Sequence, residues 1–167
     1  ARQTARLTYG ARGLVLHGIT NFGPKSPSGN WQDAAGWLAD HFWQHYSFSG
    51  DRDFLALRAY PFMKDAALFY LDFLVEHPKY KWLVTAQTYS PENQFVAPDS
   101  GKRAELSAGV TITLGILSDL FENTIEASKI LDVDPQFQAE VARALARLAP
   151  YRVDRYGALQ EWLEDFD

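Results

Sequence analysis

Cysteine is absent from the 167 residues, which excludes disulfides and thiolate-held metals and leaves the compartment open. A positive balance is absent too: at a net charge of −5, the chain offers no general attraction to nucleic acid or to an anionic membrane. No apolar run approaches the length that spans a bilayer. Period-2 alternation is scarce and no repeat of fixed length occurs, which argues against a sheet protein and against a helical solenoid. Metal spacing is missing among the four histidines. His41 and His45 stand four apart without the His-Glu-x-x-His pattern, so no metal or cofactor is expected.

What is present is a globular balance, with 47% hydrophobic and 22% charged residues and enough length for one sizeable core. Aromatics reach 14%, with five Trp and eight Tyr, a share that suits sugar-stacking walls and a large aromatic core alike. Residues 17–31 carry Gly18, Gly23, Pro24, Pro27 and Gly29, too many breakers for a regular element. From about Gln32 to Phe48 the spacing is helical, with Leu38, Phe42 and Tyr46 on one stripe and Trp37, His41 and His45 on the next. Gly50 ends that helix and Asp51 caps a short one over 52–59. Pro61 opens a longer helix to about Glu76, with Ala67, Tyr70, Leu71 and Leu74 inward. A polar loop over 79–104 precedes a long helix from about Glu105 to Leu131. Asp134 caps another, which Pro150 stops, and a short helix is expected around Ala158–Asp165. The class expected is all-α.

Within the polar loop, Thr85-Ala86-Gln87-Thr88-Tyr89-Ser90-Pro91-Glu92-Asn93-Gln94 is the candidate for chemistry. Pro91 pushes Ser90 toward an extended conformation, so Glu92 is reached without helical geometry. With Tyr89 and Phe95 nearby, a partly apolar setting would disfavour the charged carboxylate and suit a general acid. The alternative is a solvated loop residue or a helix cap.

Ser90-Pro91-Glu92-Asn93 does not stand alone. Before it come Tyr9-Gly10-Ala11-Arg12-Gly13, His17, Thr20, Asn21, Trp31, Gly36-Trp37-Leu38, His41, Trp43 and His45-Tyr46. Gly50-Asp51, Phe54-Leu55, Ala59-Tyr60-Pro61 and Phe69-Tyr70-Leu71-Asp72-Phe73-Leu74 continue the series, and Asp119-Leu120-Phe121, Ile130-Leu131 and Leu159-Gln160-Glu161-Trp162-Leu163-Glu164-Asp165 close it. In this order and spacing the chain resembles, from end to end, the catalytic domain of glycoside hydrolase family 95, the inverting alpha-L-fucosidases.

The resemblance implies an (α/α)6 barrel of the six-hairpin glycosidase type, of which residues 1–167 would form about half. The chain starts at Ala1 in what the resemblance reads as domain interior. A fragment is therefore expected, partnered by the rest of its catalytic domain, and secreted or periplasmic by resemblance although no signal peptide is visible. An incomplete ring would leave apolar helix faces uncovered, so marginal stability is expected of the isolated segment.

The implied activity is hydrolysis of terminal alpha-1,2-linked L-fucose from glycans, with Glu92 as general acid. Asn21, in His17-Gly18-Ile19-Thr20-Asn21, matches the position that holds the water, though Asn before Phe22-Gly23 also fits an ordinary turn. His17 matches a sugar-binding histidine, or it is structural. Trp31, Trp37, His41 and Trp43 either floor the pocket or pack in a core, and Asn93 joins the candidate substrate contacts. Glu161, Glu164 and Asp165 read as a solvated helix face or as support for the site.

Departures from the family pattern are Ile19, where a further asparagine is usual, Gly18, where a second histidine is frequent, and Thr113, where an aspartate is usual. The aspartate that supports the water lies in a motif this chain does not contain. Action on alpha-L-galactosides, or sugar binding without turnover, is the alternative.

Overall fold

The computed structural model describes residues 1–17 and 31–166, so Asn21, Gly18 and Ile19 lie outside the described residues. Helix α1 (Arg2–Tyr9) opens the chain and ends at Gly10 in the left-handed conformation. Helix α2 (Ala34–Ser49) ends at Gly50, φ 67°, whose amide donates to the Tyr46 carbonyl. Asp51 then accepts from the Phe54 amide at 2.9 Å and caps α3 (Arg52–Phe54), as its sequence position led us to expect.

The expected break before Pro61 is not there. A π turn over Leu55–Ala59 joins α3 to α4 (Tyr60–Phe73) in one continuous run. Proline lacks an N–H and its ring crowds the carbonyl four residues back. The wider turn just ahead of Pro61 makes room for that ring.

Helix α4 stops at Phe73 rather than near Glu76, because Leu74 is extended and the chain enters β1 (Val75–Glu76). The region 79–104 is not a plain loop. Strand β1 pairs antiparallel with β2 (Leu83–Val84), β3 (Ala86–Tyr89) with β6 (Leu106–Ala108), and β4 (Phe95–Val96) with β5 (Arg103–Ala104). The β3–β6 ladder and Gly109 at φ 67° delay the long helix α5 to Thr111–Leu131, six residues after the expected start.

Helix α6 (Pro135–Leu145) also departs from expectation at both ends. Asp134 makes no side-chain cap. Its carboxylate instead accepts from Tyr60 Oη at 2.9 Å and from Lys64 Nζ at 2.6 Å. The helix ends before Pro150 because residues 147–149 turn to β2: Leu83 N–H donates to the Arg147 carbonyl and Ala149 N–H to the Leu83 carbonyl. No helix forms over 158–165.

Mostly helical remains the right class for the described residues, and none of their helices is long and apolar enough to cross a membrane. Helices α4 and α5 pack on each other and both on α2, while α6 packs on α5. Their core holds Leu55, Met63, Phe69, Tyr70, Leu117, Phe121 and Val141, all essentially inaccessible. Each such side chain contributes about 1.5–3 kcal/mol by leaving water. At the α2–α5 crossing the Ile116 side chain fills the space over Gly36, where an added Cβ would stand 2.6 Å from Ile116 Cγ2. A smaller cluster of Val84, Leu114, Ala149 and Leu163 fastens the strand region to α5. Phe48, Leu57 and Tyr156 stay in solvent.

Candidate active site

Glu92 sits in the turn between β3 and β4, and the Pro91–Glu92 peptide bond is cis. Asn93 N–H donates to the Ser90 carbonyl at 2.7 Å, which closes the turn. Ser90 is buried, and its Oγ donates to Glu161 Oε1. Asn93 Nδ2 donates to the same oxygen at 3.0 Å. Glu161 is therefore half-buried and engaged, not part of a solvated helix face.

Its segment is fixed from α5. Thr111 N–H donates to the Glu161 carbonyl at 3.0 Å, and Thr111 Oγ1 to the Gln160 carbonyl at 2.6 Å. On the other side, Phe95 stacks on Phe166 with centroids 4.2 Å apart and meets Trp162 at 5.1 Å.

The apolar setting expected for Glu92 is not supplied by the described residues. Glu92 is exposed and lines an open cavity of about 350 Å³ together with Asn93, Gln94 and Arg103, with Phe95 and Val96 as its apolar part.

A second cavity, about 470 Å³, has His17, Trp31, Trp37 and His41 in its walls, with Leu16 and Leu38 between them. Four of the proposed sugar contacts thus come together beside the N-terminal half of α2, whereas Asn93 lines the Glu92 cavity. Trp37 is 48% exposed and meets Trp31 edge-on at 5.8 Å, so it serves as a wall and not as core. Trp43 does not line this cavity and packs against the core beside Tyr46. His17 Nε2 lies 2.8 Å from Tyr9 Oη, and burial lowers its pKa, which keeps the ring neutral at pH 7.

Sequence reasoning missed Asp33, the residue just before α2. Its side chain turns inward, 1% exposed, and accepts from Thr113 Oγ1 at 2.5 Å and Tyr70 Oη at 3.0 Å. A carboxylate therefore does stand beside position 113, although α5 itself carries threonine there. Burial raises the Asp33 pKa to about 6, against the opposing pull of the Thr113 and Tyr70 hydrogen bonds. Thr111 and Thr113 occupy the first turn of α5, one tied to the Glu161 segment and the other to the start of α2. The two parts of the candidate site share that turn.

Fold and site together define a mostly helical protein in which an exposed carboxylate is held on a braced turn and an aromatic cleft is organised about the same helix end. The sequence of the glycosyl hydrolase family 95 catalytic domain matches residues 1–167, so the chain belongs to that family. It is 34% identical over 174 residues to alpha-L-fucosidase 2 of Arabidopsis thaliana, covering 99% of this chain and 20% of that protein. It is 28% identical over 177 residues to the probable alpha-fucosidase A of Aspergillus niger, covering 99% of this chain and 21% of that protein. The chain thus spans about a fifth of the length of these curated relatives.

Proposed function

We propose that the chain is part of an (α/α)6-barrel catalytic domain that removes terminal alpha-1,2-linked L-fucose from extracellular or periplasmic glycans with inversion. The observation that carries this is the family match across the whole chain, with Glu92 exposed in a turn whose flanking side chains are both tied to Glu161. In this reading Glu92 gives its proton to the glycosidic oxygen as the bond from C1 to that oxygen breaks. Water bonds to C1 from the opposite face and releases its proton. Inversion requires roughly 6.5–9.5 Å between the groups serving the two faces, to admit that water.

Asn21 accepts a hydrogen bond from the water, and a carboxylate from elsewhere in the catalytic domain takes its proton. Trp31 and Trp37 offer aromatic faces to the apolar side of a deoxy sugar, while His17, His41 and Asn93 supply polar contacts. The rest of the domain covers Glu92, whose acid role calls for surroundings drier than the described residues provide.

Fucose release from 2'-fucosyllactose by the intact protein tests the reading. Release is expected from the native sequence and is expected to disappear in Glu92→Gln at unchanged helical circular dichroism. Equal release by the two proteins would remove Glu92 from the chemistry.

A further inference from the structure

One oxygen of Glu161 receives two hydrogen bonds, from the residue two before Glu92 and from the residue one after it. Bonds to an ionised acceptor are roughly twice as strong as neutral ones, and two on one atom fix both ends of the turn together. The acceptor is itself held. Gln160, Trp162 and Leu163 are buried, and the carbonyls of Gln160 and Glu161 are taken by the hydroxyl and amide of Thr111. The turn that carries Glu92 is thus referenced to the first turn of α5, which also meets Asp33 at the start of the aromatic cleft. Ser90 is buried, whereas Glu92 itself makes no bond in this network and projects into the open cavity.

We infer that Glu161 is a positioning residue for proton donation: its carboxylate braces Ser90 and Asn93 so that the Glu92 carboxyl is presented at the leaving oxygen. The inference rests on Glu92 being the general acid. In this role Glu161 acts through the placement of Glu92 and not on the reacting atoms. Misplacing a catalytic group by an ångström costs up to about 100-fold in rate.

A misplaced acid has a signature that a generally weakened fold lacks. Leaving groups that need protonation suffer, and those that depart readily do not. In the intact protein, Glu161→Ala, Glu161→Gln and Glu92→Gln are compared on 2'-fucosyllactose and on alpha-L-fucosyl fluoride, whose fluoride departs with little proton assistance.

Glu161→Ala is expected to lower kcat on 2'-fucosyllactose about 10- to 100-fold while changing fluoride hydrolysis about 3-fold or less. Glu161→Gln keeps an acceptor oxygen for Ser90 and Asn93, and is expected to recover most of the loss. Ser90→Ala, which removes one donor and leaves the brace residue in place, is expected to show a smaller split of the same kind. If Glu92→Gln shows the split but Glu161→Ala and Ser90→Ala slow both substrates equally, or neither, the brace is overturned and the acid stands. If Glu92→Gln shows no split, the acid reading falls and takes the brace with it.

Discussion

Gly13→Ala is expected to destabilise the fold by about 4 kcal/mol, and Gly10→Ala by only about 1–2 kcal/mol, although the two glycines share φ 65°. The left-handed conformation costs an L side chain roughly 1–2 kcal/mol at either site. At Gly10 nothing lies within 4 Å of the added carbon, so that strain is the whole effect.

At Gly13 the same carbon would stand 1.9 Å from the Asp65 carbonyl oxygen and 2.9 Å from the Phe69 amide nitrogen, both backbone atoms of α4. Neither can swing aside as a side-chain tip would. The Asp65 carbonyl also accepts from Leu14 N–H at 3.1 Å, so relief of the clash separates residues 11–15 from α4 and breaks that bond. Overpacking of this kind costs about 1–3 kcal/mol and belongs here at the upper end. Against a total stability on the order of 5–15 kcal/mol, the loss is a large fraction. His17 follows this segment, so the cleft wall should loosen as well. Urea unfolding of the two variants measures the difference, and equal losses would show that the close approach to α4 does not exist.

Helices α2, α4, α5 and α6 were legible because an apolar stripe at 3.6-residue spacing is written locally, and so were the stops at Gly50 and the cap at Asp51. The strands were not, since elements of two to four residues are too short to display alternation. The tail shows the opposite error. Leu159, Trp162 and Leu163 have helical spacing, yet Gln160 N–H goes to the Arg152 carbonyl and Thr111 takes the carbonyls of 160 and 161. Partners elsewhere in the chain, Thr111 about fifty residues away among them, claimed the groups that a helix would have used.

The site divides the same way. The family resemblance singled out Glu92, His17, Trp31, Trp37 and His41 as candidates, and the structure gathers the last four in one cavity. Of the other carboxylates, Glu161 stood out only as one of three acidic residues open to a supporting role, and Asp33 was not legible at all. Each depends on a hydroxyl donor 71 or 80 residues distant in sequence, and an aspartate just before a helix reads as a cap.

That buried carboxylate makes the stability pH-dependent in a direction opposite to most paired carboxylates. The folded-state pKa of Asp33 is raised by burial from 3.8 to about 6. Between those values the folded protein keeps a proton that the unfolded chain has released. The contribution of Asp33 to stability is therefore fullest below about pH 4, falls as pH rises to about 6, and is level beyond. The loss is about 3 kcal/mol, because each tenfold difference in proton affinity between the folded and unfolded chain is worth about 1.36 kcal/mol.

His17, lowered by burial, contributes with the opposite sign just below its usual 6.5, and Asp72 and Asp134, lowered by Arg12 and Lys64, lose stability only at more acid pH. Asp119, raised chiefly by burial with Asp40 adding to it, acts in the same direction as Asp33 but is far more exposed. Comparison with Asp33→Asn isolates the one group. Asparagine Oδ1 can accept from Thr113 Oγ1, and its Nδ2 can donate to the Tyr70 oxygen while Tyr70 gives its proton to the Gln32 carbonyl, 3.1 Å away. The Thr113 and Tyr70 partners thus keep their bonds, and no charge remains to desolvate. Asp33→Asn is thus expected to match the native protein at pH 4 and to exceed it by about 3 kcal/mol at pH 7. Urea titrations at pH 4, 5, 6 and 7 provide the comparison. Parallel profiles for the two proteins would mean that Asp33 is ionised at no cost, with water or a cation reaching it.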